Sequence, residues 1–176
     1  MTRYTGSTIN HRESSFKSDF NNELLVRAIE KRELLEYPES NVLLSNILTD
    51  DPNNIVAIRM MAVNHISMNN LERASKLLRS AHHLAKESTP NELPVIHYYN
   101  AVIEFMRADF QKSLSILEMT DKVANLTNDW LYRAYASELK GKILMKLGKL
   151  NLAADAFKTA MDKYSVIQCP VGKSQS

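Results

Sequence analysis

From about residue 20 onward, apolar residues recur every three to four positions, the spacing of one face of an α-helix. Short polar segments are the only interruptions. The pattern predicts eight helices, over residues 20–35, 39–49, 54–67, 70–86, 93–107, 110–126, 129–147 and 150–165. Local punctuation separates them. Pro38 sits just inside a helix start, where the missing N–H costs nothing. Asp51-Pro52-Asn53-Asn54 ends one helix and supplies an N-cap for the next. Thr89-Pro90-Asn91 and Pro94 break the chain again, Asn128-Asp129 offers a cap for the helix opening at Trp130, and Gly148 closes another helix in a left-handed turn. The β-branched residues occur singly at helical spacing, so no strand is expected. The fold class expected is all-α.

Residues 1–18 are polar, without a hydrophobic period, and read as a disordered N-terminal arm. The helical repeat domain is expected over 19–166, with a short tail over 167–176.

The helices pair. In residues 134–165, Gly141, Leu144, Gly148, Ala153, Phe157 and Ala160 follow one another at intervals of 3, 4, 5, 4 and 3. Gly141 lets the second helix approach, Ala153 and Ala160 are small residues facing it, Phe157 plugs the gap, and Gly148 permits the near-antiparallel return of an αα-hairpin. The same frame places Met61, Ala62, Leu71, Ala74, Leu78 and Ala81 in residues 55–86. In 94–126 it places Ala101, Phe110, Ser113 and Leu117, with Ala108 where the loop glycine stands. A weaker unit, 21–54, offers Ala28, Ser40, Leu44 and Ile47.

This arrangement resembles the tetratricopeptide repeat over about 145 residues, all but the two tails. The first unit has the family's 34-residue period, and the next two steps, Ile55 to Pro94 and Pro94 to Ala134, are 39 and 40 residues. The family's tryptophan near the repeat start is absent, and the longer steps imply extended second helices. Such units are similar to the long-repeat regions of bacterial transcription regulators and signalling proteins. The resemblance implies a superhelix of about four antiparallel hairpins, with the first helix of each lining a concave groove where extended peptides bind. Carried over in register, the groove positions are Asn22, Leu25 and Ile29; Arg59, Met60, Val63 and Ile66; Tyr98, Val102 and Phe105; and Tyr135, Glu138, Lys142 and Met145. For each of these, the alternative is packing inside the array's own core. Relatives that clamp a chaperone's C-terminal carboxylate use lysines and asparagines at inner positions that here hold Arg59, Val63, Tyr98 and Val102, which argues against that ligand.

Composition narrows the function further. A net charge of +2, with no run of like charges, gives no field for nucleic acid. No segment approaches eighteen consecutive apolar residues, so no membrane span is expected, and the first residues lack the apolar region of a secretory signal. The single cysteine, Cys169, rules out an intrachain disulfide and fits a reducing, cytoplasmic setting. His82 and His83 point about 100° apart on a helix and cannot share a metal, and no HExxH or CxxC motif occurs. His65, near the inner face, is a candidate pH-sensitive contact. Gly172-Lys173-Ser174 lacks both the upstream glycine, replaced by Ile167, and the strand that a phosphate loop needs. No catalytic constellation, metal site or cofactor is expected, and the chain reads as no enzyme. The tail Cys169-Pro170-Val171-Gly172 is similar to the opening of a further repeat, which suggests a truncated array or one capped by a partner, with a homodimer through the terminal repeat as one form of capping.

Two functions fit. The first is a scaffold or adaptor that binds a protein or peptide in the inner groove. The second is a regulatory or sensor module of a bacterial transcription or signalling system.

Overall fold

The computed structural model describes the backbone of residues 7–168 and the side chains of 20–167. The described residues form eight helices and no strand: α1 (Ser7–Glu33), α2 (Tyr37–Asp50), α3 (Ile55–Ser67), α4 (Leu71–Ser88), α5 (Leu93–Met106), α6 (Phe110–Leu126), α7 (Trp130–Lys146) and α8 (Leu150–Gln168), with a 3-10 turn at Pro90–Glu92 before α5. Helix α1 begins at Ser7, inside the stretch read as an arm. Most of the tail, from Cys169 on, lies outside the described residues. The chain divides into two compact units, one ending at Leu77 and the other beginning at Leu78.

The helix ends follow from the capping residues. The Asn54 side chain accepts from the Ala57 N–H, Asp109 from Lys112 and Asp129 from Tyr132, each relieving one of the orphan donors at a helix N-terminus. Pro38 stands in the first turn of α2.

The turn from first to second helix is built the same way four times. Leu35, Asn69, Ala108 and Gly148 all adopt positive φ, between 58° and 71°. At each, the residue's own N–H donates three residues back and the next N–H donates five residues back, as in Gly148 to Met145 and Lys149 to Leu144. This is the Schellman arrangement, which satisfies the last carbonyls of a helix. Seven residues before each turn stands a fully buried small residue, Ala28, Ala62, Ala101 or Gly141. Twelve residues after that small residue comes its second-helix counterpart, Ser40, Ala74, Ser113 or Ala153, again buried. Turn and crossing thus keep one register through all four hairpins.

In the first unit, α1 and α2 form a hairpin and α2 packs on α3. Leu24, Ala28, Leu44, Ile47, Ala57, Met60 and Met61 make its core. A buried polar pin runs through it. Ser40 Oγ donates to the Ala28 carbonyl at 2.8 Å, and Asn64 Nδ2 donates to Ser40 Oγ and to Asn41 Oδ1, both at 2.9 Å. The pin links α3 to α2 and α2 to α1.

In the second unit, α5 pairs with α6 and α7 with α8, while α7 also packs on α5 and α6. Ala101, Leu117, Ala136, Leu139 and Ile143 form the centre. Ser113 Oγ repeats the serine pin, donating to the Ala101 carbonyl at 2.8 Å. In the last hairpin the contact is closer still: a Cβ placed on Gly141 would stand 2.7 Å from the Phe157 ring. Glycine at 141 and a plug at 157 are therefore one feature.

The longer repeat steps are only partly a matter of second helices. Helix α4 has 18 residues against 14 in α2, as expected. The final step also lengthens a first helix, since α7 has 17 residues where α3 has 13 and α5 has 14.

Candidate functional site

Each group of expected groove residues is placed by its own unit. In the first, Ile29 and Asn22 are exposed, while Leu25 is half-buried against the core and Arg59 is half-buried. Met60, Val63 and Ile66 are buried, with 6%, 4% and 7% of their surface exposed. They are closed to a ligand, which corrects the expectation for α3. The physical reason is that α3 is buried on nearly every side: ten of its thirteen residues are buried, Asn64 and His65 among them, so the helical period alone could not single out an open face.

The second unit gathers its aromatic residues. Helices α5 and α7 lie side by side, and their tyrosines meet. The Tyr98 ring lies 5.6 Å from Tyr135 and 5.7 Å from Tyr132, and it meets Tyr99 edge-on at 5.3 Å. Tyr132 and Tyr135 contact at 5.5 Å, and Tyr164, near the end of α8, meets Tyr135 at 6.0 Å. These spacings and tilts are those of favourable aromatic pairs. All five tyrosines are half-buried, so each leaves part of its ring in solvent.

One charged pair sits among them. Lys142 Nζ lies 2.6 Å from Glu138 Oε1, and Tyr164 donates from its hydroxyl to Glu138 Oε2 at 2.8 Å. The Lys142 and Tyr164 contacts outweigh burial and hold the Glu138 carboxyl below its usual range. Burial, then the neighbouring Tyr99, Glu138 and Tyr135, push the Tyr98 hydroxyl up to about 12. Burial and the bond to Glu138 raise Tyr164 as well. Tyr98 and Tyr164 therefore keep their protons at physiological pH. Among the described residues the hydroxyls of Tyr98, Tyr99 and Tyr135 make no hydrogen bond.

Of the expected groove residues, Tyr98, Tyr135, Glu138 and Lys142 belong to this face. Met145, 54% exposed, continues it along α7. Val102 and Phe105 are packed against the centre of the unit, and the Phe105 ring contacts Phe110 at 5.9 Å. Tyr98 packs on the same centre and is half-buried like them. Register did not point to Tyr99, Tyr132 or Tyr164. Tyr132 lies three residues before Tyr135 on α7, which is a helical-neighbour signal. Tyr164 arrives only through the fold of α8. The packing residues Ala62, Ala74, Ala81, Ala101, Ala153 and Ala160 are all buried.

The opposite side of α7 carries a cleft of about 520 Å³ among α6, α7 and α8. Leu117, Ala136, Leu144 and Ala156 are among its lining residues. At one side Lys163 Nζ donates to Asp121 Oδ1 at 2.8 Å and to Ser137 Oγ at 2.9 Å, and Arg133 Nε donates to the same Asp121 oxygen at 3.3 Å. Burial works against the Asp121 carboxylate, but these two cations outweigh it and hold its pKa low.

Among the described residues no three His, Cys, Asp or Glu side chains converge. His83 points away towards Glu87, while His82 meets His97 edge-on at 5.2 Å.

Among solved structures the chain is similar to the crystal structure of MamA, with 16% identity, 89% of this chain and 86% of that chain covered, and a TM-score of 0.62. It is also similar to the MamA RS-1 ArsTM double mutant, with 12% identity, 85% and 78% coverage and a TM-score of 0.61. No family model matches, and no curated protein matches. At these identities the likeness bears on the fold, which is all-α and tetratricopeptide-like.

Proposed function

We propose that this chain is a non-catalytic adaptor that holds a segment of a partner protein against the tyrosine face of α5 and α7. The observation that carries the reading is the cluster itself: five half-open tyrosines on one side of one unit. Tyrosine combines a large apolar ring with a polar tip and has few rotors to immobilise, so it is enriched in the hot spots of protein interfaces. A core does not need five such residues left partly in water. The tetratricopeptide-like fold, which supports extended binding surfaces along its first helices, points the same way. No helix of the described residues is long and apolar enough to cross a membrane, so the face is not explained by lipid around a spanning helix.

The regulatory reading draws on the 39- and 40-residue repeat steps and on the likeness of the tail to the opening of a further repeat. It is compatible with the adaptor reading, because a sensor module also needs a surface that takes a partner.

The test is site-specific photo-cross-linking. Leu131, 39% exposed and one turn before Tyr135, is replaced by a photoreactive amino acid, with a second version at Lys122 on α6 as control. The reading expects a discrete protein adduct from position 131 that is lost with Tyr135→Ala and absent from position 122. Adducts indifferent to Tyr135, or none, contradict it.

A further inference from the structure

We infer that α8 pairs with α8 of a second copy of this chain, antiparallel, along the stripe Leu150, Ala154, Phe157 and Met161. This pairing does not depend on a partner at the tyrosine cluster of α5 and α7.

The hairpin register defines the stripe. It takes the positions three residues before, and one, four and eight residues after, the small crossing residue of a second helix. On α6, where the crossing residue is Ser113, these are Phe110, Leu114, Leu117 and Asp121. Leu117 shares a core with Ala136, Leu139 and Ile143 of α7, Phe110 and Leu114 pack against that core, and Asp121 pairs with Arg133 of α7. On α2, where the crossing residue is Ser40, they are Tyr37, Asn41, Leu44 and Leu48. Leu44 shares a core with Ala57, Met60 and Met61 of α3, Leu48 packs against it, and Asn41 Oδ1 accepts from Asn64 of α3. In both units this face of a second helix receives the helix that follows.

On α8, where the crossing residue is Ala153, the same positions hold Leu150, Ala154, Phe157 and Met161. All four are apolar, and they lie within about 60° of arc on one side of the helix. Yet Leu150 is 67% and Met161 70% exposed among the described residues. Ala154 is exposed too, and Phe157 is half-buried where it plugs the crossing at Gly141. A face of the kind that receives a helix elsewhere in the fold stands open here.

The stripe is its own counterpart. Its intervals are 4, 3 and 4, so it reads the same in reverse. Laid antiparallel on a second copy, Leu150 comes level with Met161 of the second copy, and Ala154, small, with Phe157, large. Charge agrees with self-pairing. Helix α8 carries Asp155 and Asp162 against Lys158 and Lys163, none of them in the stripe, so two copies meet without net repulsion. In the same register Lys149 comes level with Asp162 of the second copy at both ends. The stripe is short, roughly 16 Å, so the dimer is expected to be a weak one that forms at micromolar concentrations.

The test is sedimentation velocity of the purified full chain over about 5 to 500 µM, where a shift from monomer to dimer is expected. Leu150→Glu and Met161→Lys should each weaken dimerisation at least about tenfold, with circular dichroism unchanged because both side chains are exposed. The chain carrying both substitutions should recover the dimer, because antiparallel pairing sets each introduced carboxylate level with an introduced ammonium. Within one chain the two positions lie 11 residues apart and cannot pair. Met119→Lys, at a 51% exposed site on α6 outside the stripe, should leave dimerisation as it is. A monomer at every concentration, a dimer indifferent to Met161→Lys, or a double variant no more dimeric than the single ones overturns the inference.

Discussion

Two residues show how closely the hairpins are built, and each makes a measurable statement. Gly141 faces the Phe157 ring so tightly that any side chain forces the ring to move. Gly141→Ala is expected to cost about 1–3 kcal/mol in urea unfolding, as overpacking does. Phe157→Leu in the same chain should recover part of that, which separates the clash from a change in helix propensity. Ala108 presents the opposite case. It holds φ at 62° in a turn where its counterpart is Gly148. An L-residue strains there, so Ala108→Gly should gain up to about 1 kcal/mol, read as a higher urea midpoint. At this scale much was legible in the sequence. The spacing of Gly141, Gly148, Ala153 and Phe157 carries its meaning in the residue types, because only glycine combines no Cβ with easy access to positive φ. Leu35 was not legible as a turn residue, since leucine does not advertise a left-handed conformation and its place is known only by register with the other three turns.

The element scale is where register becomes packing. The crossing of first and second helix uses an alanine–serine pair twice, with Ser40 and Ser113 each donating to a carbonyl 12 residues earlier. The other two hairpins use alanine at the same place, Ala74 and Ala153. Ser113→Ala should therefore cost no more than about 1.5 kcal/mol, the worth of one hydrogen bond. Ser113→Val, which adds bulk at a fully buried crossing, should cost more, and thermal melts of the two variants rank them. Helix existence and order were readable from the hydrophobic period, and the caps at Asn54 and Asp129 marked two starts; the Asp109 cap emerged only in the fold. The open face of a helix was less readable. For α7 the polar residues Glu138 and Lys142 mark it, whereas α3 is buried almost all round and gives no such mark. That contrast explains why Val63 and Ile66 are buried while Lys142 is exposed.

At the scale of the molecule, pH and partner capture report on the account. Burial lowers the pKa of His65, His82 and His97 below 6.5; Arg73 adds to this at His65, Lys86 and His83 at His82, and His82 at His97. The unfolded chain therefore binds more protons than the folded one just below pH 6.5, so stability is full above that value and falls as pH drops through the folded pKa values. Urea midpoints at pH 7.5 and 5.5 should show the loss, and His97→Phe should flatten it. The tyrosine face is also a property of the assembled unit: Tyr164 and Tyr98 lie far apart in sequence, and only the return of α8 brings Tyr164 to Tyr135. The central claim is that this face holds a protein partner. Photo-cross-linking from position 131 tests it most directly. A discrete adduct is expected that falls at least about tenfold with Tyr135→Ala, measured at a temperature where circular dichroism shows both chains folded. An adduct of equal yield in both proteins, or no adduct from 131 alongside one from 122, would contradict it.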